Sequence, residues 1–368
     1  MRPISFPPDR GQAILKKDAL LRNFRLISDH ARSINPNARI IAVVKADAYG
    51  HGAGLTVPLL GQAGCDFFAV ATLQEALEVR RLDPKADVLI LGYTPPNKLP
   101  EVFKHRLTQT VLSPEYAAAL SAVAAAAECR PSVHLKVDGG LCRIGFSPDD
   151  KAGLLRTCRK RHLRVTGLYT HFPCADSDVT ATKAALSRFL ACKTALNEAG
   201  FFPFCHAAAS AALLSLPESV LDGPRVGLAL YGIKPTATKL PLAPVLSLTA
   251  PVVQLRGVPA GTPIGYGGDF VTKRPSRIGT LPLGYADGVF RGLSGLSVTA
   301  RHRGKTYDVP VVGRISMDQL TVDLTDTPTC VGDTVVLWQN AATPAAHLGT
   351  IPYEILTALS PRVRRILK

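Results

Sequence analysis

Ile40-Ile41-Ala42-Val43-Val44-Lys45-Ala46-Asp47-Ala48-Tyr49-Gly50-His51-Gly52 is the stretch on which the reading of this chain turns. Its first five residues form a short apolar run, of the kind that makes a strand covered on both faces. Lys45 ends that run, and Gly50 and Gly52 open the loop behind it. A lysine at the mouth of a parallel sheet has two readings. Its stem can lie along apolar surface while the ammonium reaches water. Alternatively, desolvation lowers its pKa and leaves an amine able to attack a carbonyl, as Schiff-base chemistry requires. The run by itself leaves both open.

Working outward, short β-rich runs alternate with helical ones between residues 39 and 232. The strand candidates are 40–44, 67–71, 88–91, 108–112, 133–137, 165–169, 202–205 and 226–230. Thr72-Leu73-Gln74-Glu75 has the spacing of a capping box and opens one intervening helix. Leu186, Phe189 and Leu190 recur at i, i+3, i+4 in another, which Gly200 is placed to end. About eight strand–helix repeats predict an α/β fold, a (β/α)8 TIM-type barrel, with a doubly wound open sheet as the alternative. After Pro235 proline and glycine become frequent and helical periodicity disappears. The runs 245–248, 252–255, 278–281, 309–312, 320–324 and 334–337 read as short strands of a C-terminal all-β domain. The expected division is a barrel domain at residues 1–240 and a β-domain at 241–368. Residues 12–14 precede the barrel and are candidates to pair with the β-domain, and 353–359 form a short closing element.

The chain has 368 residues, 46% hydrophobic and 19% charged, enough for two globular domains. The start, Met1-Arg2-Pro3-Ile4-Ser5-Phe6-Pro7-Pro8, lacks the apolar core of a signal peptide, which predicts a cytoplasmic protein. The most apolar helical segment, 116–127, is alanine-rich and ends at Glu128, so no membrane span is expected. Eight cysteines, Cys65, Cys129, Cys142, Cys158, Cys174, Cys192, Cys205 and Cys330, include no metal-type pair and read as reduced core residues. The formal charge of +15 is spread along the chain. Its densest runs, Arg159-Lys160-Arg161-His162 and Arg362-Val363-Arg364-Arg365, carry no interleaved aromatics, which argues against nucleic acid and for a modest pull on small anions.

In such a barrel the chemistry belongs at the carboxyl ends of the strands. Lys45 ends the first candidate strand, His171 follows the run 165–169, and Arg143 lies in the loop after 133–137. His206 and Ser210 follow 202–205. Arg225 starts a strand instead of ending one and fits the rule less well.

Six stretches carry a resemblance that spans nearly the whole chain: 45–52, 136–145, 168–172, 206–212, 225–232, and a β-domain set made of Tyr266-Gly267, 284–288 and 313–318. Together they resemble the alanine racemases, enzymes that use pyridoxal 5′-phosphate (PLP). The resemblance implies that Lys45 holds PLP and that Lys45 and Tyr266 are the two catalytic bases, for the D- and L-enantiomer faces respectively. Inverting a stereocentre requires taking a proton from one face and returning one to the other, with PLP as electron sink. It further implies that His171, backed by Arg225, relays to Tyr266, and that Arg225 also faces the pyridine nitrogen. Tyr49, Ser210 and the backbones of Gly227 and Leu228 match the phosphate cradle. Arg143 matches the group holding the PLP phenolic oxygen and the substrate carboxylate side. Lys136 matches a position often carbamylated in relatives, where the carbamate positions Arg143. Met317 and Asp318 match residues shaping the substrate end, and Tyr285 matches a gate. The family pattern implies a small amino-acid substrate, no metal, a homodimer with shared sites, and a role in supplying D-alanine to peptidoglycan.

The chain departs from that pattern at Gly139, usually threonine, Leu141, usually methionine, and Ala209, commonly asparagine. Pro361 stands where some members place a phosphate-contacting tyrosine. Alternatives remain a broader amino-acid racemase, for instance of serine, and a non-enzymatic PLP-binding protein of the same barrel type. The latter usually lacks the β-domain that carries Tyr266. A fold-related decarboxylase would lack the Tyr266, His171 and Arg225 set.

Overall fold

A computed structural model describes residues 9–368. Residues 1–8, read above for a signal sequence, lie outside the described part. The chain divides into two compact units. One comprises Asp18–Ala48 and Ala53–Ala243; the other comprises residues up to Lys17, the short loop Tyr49–Gly52, and Pro244–Lys368.

Strand β1 (Gln12–Leu15) belongs to the β-rich unit. The barrel unit holds β2 (Ile41–Val43), β3 (Phe67–Val70), β4 (Asp87–Ile90), β5 (Thr108–Val111), β6 (Ser132–Lys136), β7 (Arg164–Tyr169), β8 (Phe204–His206) and β9 (Arg225–Val226). These eight strands form one parallel sheet in which each of β2 to β8 neighbours the next and β9 pairs back onto β2. The result is a nearly closed barrel. Its seam, between β8 and β9, is crossed by Asp222 N–H to Cys205 O at 3.0 Å and Arg225 N–H to Ala208 O at 2.9 Å. Apolar runs become strands here because both faces are covered: Ile41, Ala42, Phe68, Ala69, Val88, Leu89 and Ile90 are all fully buried.

The observed strands are shorter than the apolar runs. The run 226–230 contributes only Arg225–Val226 to the sheet, because the backbone turns at once: Leu230 N–H bonds Gly227 O at 2.9 Å and Tyr231 N–H bonds Leu228 O at 3.0 Å. The run 202–205 is displaced to Phe204–His206. The capping box forms as expected, with Thr72 at the N-cap and Glu75 closing back onto it, ahead of the helix Leu73–Leu82. The alanine-rich helix runs Pro114–Ala126 behind a Ser113 cap. No described helix is long and apolar enough to cross a membrane.

The β-rich unit adds β10 (Leu246–Pro251), β11 (Gln254–Val258), β12 (Pro263–Ile264), β13 (Phe270–Val271), β14 (Ser276–Leu281), β15 (Ser297–His302), β16 (Lys305–Val312), β17 (Leu320–Asp323), β18 (Thr334–Trp338) and β19 (Arg364–Leu367). Nine of its strands share a sheet in the order β11-β14-β17-β16-β15-β18-β10-β1-β19, and β12 and β13 form a separate hairpin. β1 pairs antiparallel with β10 and parallel with β19, so residues 12–14 do join the β-domain. The run 252–255 is displaced: the chain bends at Val252 and Val253, and Gln254 and Leu255 open β11. The closing element 353–359 is a helix, Pro352–Thr357, followed by β19, whose charged sequence gave no strand signal.

In the barrel unit, the helix Lys17–Ile34 is pinned by Asn23, which is fully buried. Its Nδ2 donates to Leu230 O at 3.0 Å and to Ala243 O at 2.8 Å, while its Oδ1 accepts from Ala243 N–H at 2.9 Å. Asn23→Ala strands these backbone groups in a dry environment and is expected to destabilise the protein by about 2 kcal/mol, read from urea unfolding. An unchanged midpoint would show that the contact carries no net stability.

Candidate active site

Lys45 follows β2 directly. Its position is fixed by Val44 N–H bonding Ala69 O at 2.9 Å and by an unusual backbone behind it. Ala46, Asp47, Ala48 and Tyr49 all sit in the left-handed region, with φ of 52°, 53°, 54° and 53°. Each such L-residue costs about 1–2 kcal/mol, so the turn must be held. Asp47 Oδ1 accepts Ala53 N–H at 2.7 Å, and Glu75 Oε1 accepts Ala46 N–H at 2.7 Å. Glu75 Oε2 meanwhile bonds Ala71 N–H at 2.8 Å and Thr72 N–H at 3.1 Å. The capping-box glutamate therefore ties the ends of two adjacent strands together, a role its sequence spacing did not reveal. Lys45 is half-buried, and desolvation, reinforced by the Arg143 charge and opposed by Glu75, lowers its pKa.

Arg225 lies at the barrel seam with 4% exposure and no carboxylate in salt-bridge reach among the described residues. Backbone and imidazole acceptors satisfy it instead. Nη1 donates to His206 O at 2.8 Å and His206 Nδ1 at 3.0 Å. Nη2 donates to Thr170 O at 2.6 Å, Ala207 O at 3.2 Å and His171 Nδ1 at 3.4 Å. These carbonyls sit at the carboxyl ends of β7 and β8. Arg225 thus joins the rim although it begins its own strand, and the apparent exception to the barrel rule disappears. Burial pulls its pKa down to about 10, so it stays charged at neutral pH.

An arginine can only donate, so it sets the tautomers around it. His206 Nδ1 must accept, leaving its proton on Nε2, which donates to His134 Nδ1 at 2.9 Å. Burial and the Arg225 charge keep both rings neutral, with His134 held down at about 3 and His206 well below the usual imidazole value. His171 is likewise pushed to about 3 by burial, then by Arg225, Lys136, Arg143 and Lys45. Tyr169 stacks on His206 at 4.7 Å between ring centroids, faces the Arg225 guanidinium at 5.1 Å, and shares a 3.0 Å hydrogen bond with Thr110.

Lys136 is 3% exposed; its Nζ donates to Val137 O at 2.9 Å. Burial, then Arg225, lowers its pKa to about 7. The loop behind it is tight. Asp138 Oδ2 accepts Cys142 N–H at 3.0 Å, Cys142 has φ of 52°, and Asp138 Oδ1 is buried with no hydrogen bond among the described residues. A Cβ at Gly139 would lie 2.3 Å from His171 O. Glycine is therefore the residue this loop path admits. Arg143 sits exposed at the end of the loop.

Ser210 heads the helix Ser210–Ser215, and its Oγ accepts Gly227 N–H at 3.2 Å and Ala229 N–H at 3.3 Å. Leu228, between them, is buried. Barrel-unit residues Lys45, Lys136, Arg143, His171, Ser210, Arg225, Gly227 and Leu228 therefore sit at or beside strand carboxyl ends. The polar partners His134, Tyr169 and Thr110 were missed because each reads as core within its strand.

The remaining candidates belong to the other unit. Tyr49 is buried there, tilted against Tyr353 at 6.0 Å, and burial raises its phenol pKa. Tyr266 is 73% exposed at the tip of the β12–β13 hairpin, between Gly265 and Gly267, both with φ of 75°. Beside this tip, Arg314 makes a bidentate pair with Asp269. Tyr285 and Met317 are exposed on two turns joined by Tyr285 N–H to Ser316 O and Ala286 N–H to Met317 O, both 3.0 Å. Asp318 pairs with Arg362 at 2.5 Å. The fully buried Asp287, unnoticed in the sequence, bonds Arg10 at 2.5 Å and Gly284 N–H at 2.9 Å. All eight cysteines are free, but the expectation that they are core residues holds only for Cys65, Cys158, Cys192 and Cys205; Cys129 and Cys174 are half-buried, and Cys142 and Cys330 lie exposed on turns.

The profile described as "Alanine racemase, N-terminal domain" matches residues 15–235, and "Alanine racemase, C-terminal domain" matches 245–367. The chain belongs to the alanine racemase family. It is 41% identical to alanine racemase 1 of Caldanaerobacter subterraneus subsp. tengcongensis, covering 98% of this chain and 94% of that protein. Among solved structures, alanine racemase of Clostridium difficile 630 superposes with a TM-score of 0.89 at 32% identity, over 99% of this chain and 96% of that one. The alanine racemase of Bartonella henselae with covalently bound pyridoxal phosphate does so with a TM-score of 0.87 at 29% identity, over 98% and 100%. The family is PLP-dependent, and the barrel residues fit that cofactor. Lys45 is a depressed amine at a strand end. Arg143 and Arg225 supply positive charge with no carboxylate in salt-bridge reach among the described residues, and the Arg225 Nε–H takes no acceptor among them.

The Lys136 pKa carries a pH signature. Its folded value of about 7 lies below the unfolded value, so the unfolded chain holds the extra proton between about pH 7 and 10 and stability rises with pH across that window. In bicarbonate-free buffer without cofactor, Lys136→Met should therefore stabilise the protein most at or below pH 7, with the gain shrinking toward pH 10. A variant no more stable than the parent at pH 7 would contradict the assigned shift.

Proposed function

We propose that this protein interconverts L- and D-alanine, using Lys45 and Tyr266 as bases on opposite faces of the substrate α-carbon, and supplies D-alanine for peptidoglycan from the cytoplasm. The observation that carries this reading is the pairing of a lysine at a barrel strand end with a buried, carboxylate-free Arg225 that donates to His171 Nδ1, a ring that burial and then Arg225 keep neutral. PLP bound there supplies the electron sink that makes the α-proton of an amino acid removable.

The chain's own groups then divide the work. The Lys45 pKa is lowered by desolvation, then by Arg143, which favours the role of a base. A tyrosine has an ordinary pKa near 10 and is a weak base at neutral pH unless its phenolate is stabilised. His171 meets that need. Because its Nδ1 faces the Arg225 donor at 3.4 Å, its proton sits on Nε2, available to donate to a phenolate oxygen. Arg225 remains charged, so with PLP bound it would donate toward the pyridine nitrogen instead of surrendering a proton to it. With PLP bound, Ser210 and the Gly227 and Leu228 backbones would hold the phosphate. Arg143 orients the substrate carboxylate, and the neutral amine of Lys136, available because its pKa is near 7, adds carbon dioxide with loss of one proton to water, giving the carbamate that positions Arg143. Tyr285, Met317 and Asp318 shape the substrate entrance.

The active form is a homodimer with Tyr266 supplied to each site by a second subunit. Support comes from the exposure of Tyr266, Tyr285 and Met317, at 73%, 44% and 52%, large side chains that a monomer would leave in water. Purified protein with PLP should racemise L-alanine, and Lys45→Ala and Tyr266→Phe should each lose activity. Mixing the two variants under conditions that exchange subunits should restore about a quarter of parental activity, since half the dimers are mixed and each has one intact site. Failure of the parent to racemise alanine contradicts the function; recovery of nothing on mixing contradicts the shared site.

A further inference from the structure

Three side chains that take no part in the reaction described above converge in the β-rich unit. His302 is the last residue of β15, and the Arg301–Thr334 register of β15 with β18 sets it beside Asp333. Cys330-Val331-Gly332-Asp333 forms a closed turn, with Asp333 N–H bonded to Cys330 O at 3.1 Å and Gly332 at φ of 93°. The turn is anchored on both sides: Gly332 N–H bonds Val252 O and Val252 N–H bonds Asp333 O, each at 2.8 Å. Asp333 Oδ2 accepts Cys330 N–H at 2.7 Å and meets His302 Nδ1 at 2.6 Å. One nitrogen, one sulfur and one oxygen ligand atom from these residues lie within 4.8 Å of one another.

We propose that His302, Cys330 and Asp333 form a binding site for a thiophilic divalent cation of the zinc class. The donor set decides the class. Calcium and magnesium seek all-oxygen shells, whereas imidazole with thiolate suits zinc, cadmium or cobalt(II). A Cys-x-x-Asp turn presents two ligands three residues apart, the short spacing seen when a turn offers paired zinc ligands, and the third comes from an adjacent strand. A thiolate and a carboxylate together neutralise a divalent charge. The cation takes the place of the proton between His302 Nδ1 and Asp333 Oδ2, and the exposed Cys330 swings in by rotation about χ1. Arg301 points to the opposite face of β15 by strand alternation and does not crowd the site. Three protein ligands leave a fourth position for water, so the site is an exchangeable one that staples the 330–333 turn to β15.

The test is equilibrium dialysis of the PLP-loaded enzyme against cobalt(II) and zinc(II), with absorption spectra. The parent should bind one cobalt(II) per chain with a thiolate-to-cobalt charge-transfer band. Cys330→Ser should remove the band and weaken binding at least about tenfold, as should His302→Ala. Racemase activity of both variants should match the parent. Parental affinity and stoichiometry in Cys330→Ser, or no saturable binding to the parent, would overturn the proposal whatever the outcome for alanine racemisation.

Discussion

The barrel unit is organised around a guanidinium buried without a carboxylate. Putting a cation in a low-dielectric interior is costly unless every donor is met. The two Nη groups of Arg225 are met by carbonyls of Thr170, His206 and Ala207 and by two imidazole nitrogens. That choice propagates. It fixes His206 and His134 as neutral rings in a defined tautomer chain, and it contributes to the low basicity of Lys136 and His171. It also closes the barrel seam where the two-residue β9 provides little ladder of its own. A carboxylate partner would have stabilised the cation but would have cancelled its positive field.

The second constraint is the left-handed turn after Lys45. Four L-residues in that conformation persist because Asp47 and Glu75 hold their backbone and because the chain must turn sharply to Gly50, where a Cβ would lie 2.0 Å from Leu356 O. Other left-handed L-residues, such as Cys142, stand singly; only behind Lys45 do four run in succession.

Much of this was legible in the sequence for a physical reason. Strands covered on both faces read as continuous apolar runs, so the repeat from Ile41 to Val226 was visible, as was the capping box at Thr72. Residues whose role is set by partners far along the chain were not. His134 on β6 and His206 on β8 are 72 positions apart and meet across the intervening β7, and Tyr169 and Thr110 are separated by 59. Glu75 satisfied its local motif while also bonding Ala46. β19 escaped notice because Arg364 and Arg365 carry no alternation, and its pairing with β1 comes from the opposite end of the chain. The Gly139 departure gained a reason only when His171 O was seen to occupy the space a side chain would need.

The central claim is that two different groups hold the substrate proton on the two faces. It is tested most directly by mass-spectrometric measurement of α-hydrogen exchange in deuterium oxide, started separately from L- and D-alanine, in the parent and in Tyr266→Phe. The account predicts that the variant loses about a hundredfold in exchange from L-alanine while retaining most of its exchange from D-alanine, where Lys45 acts. Equal losses from both enantiomers would contradict it.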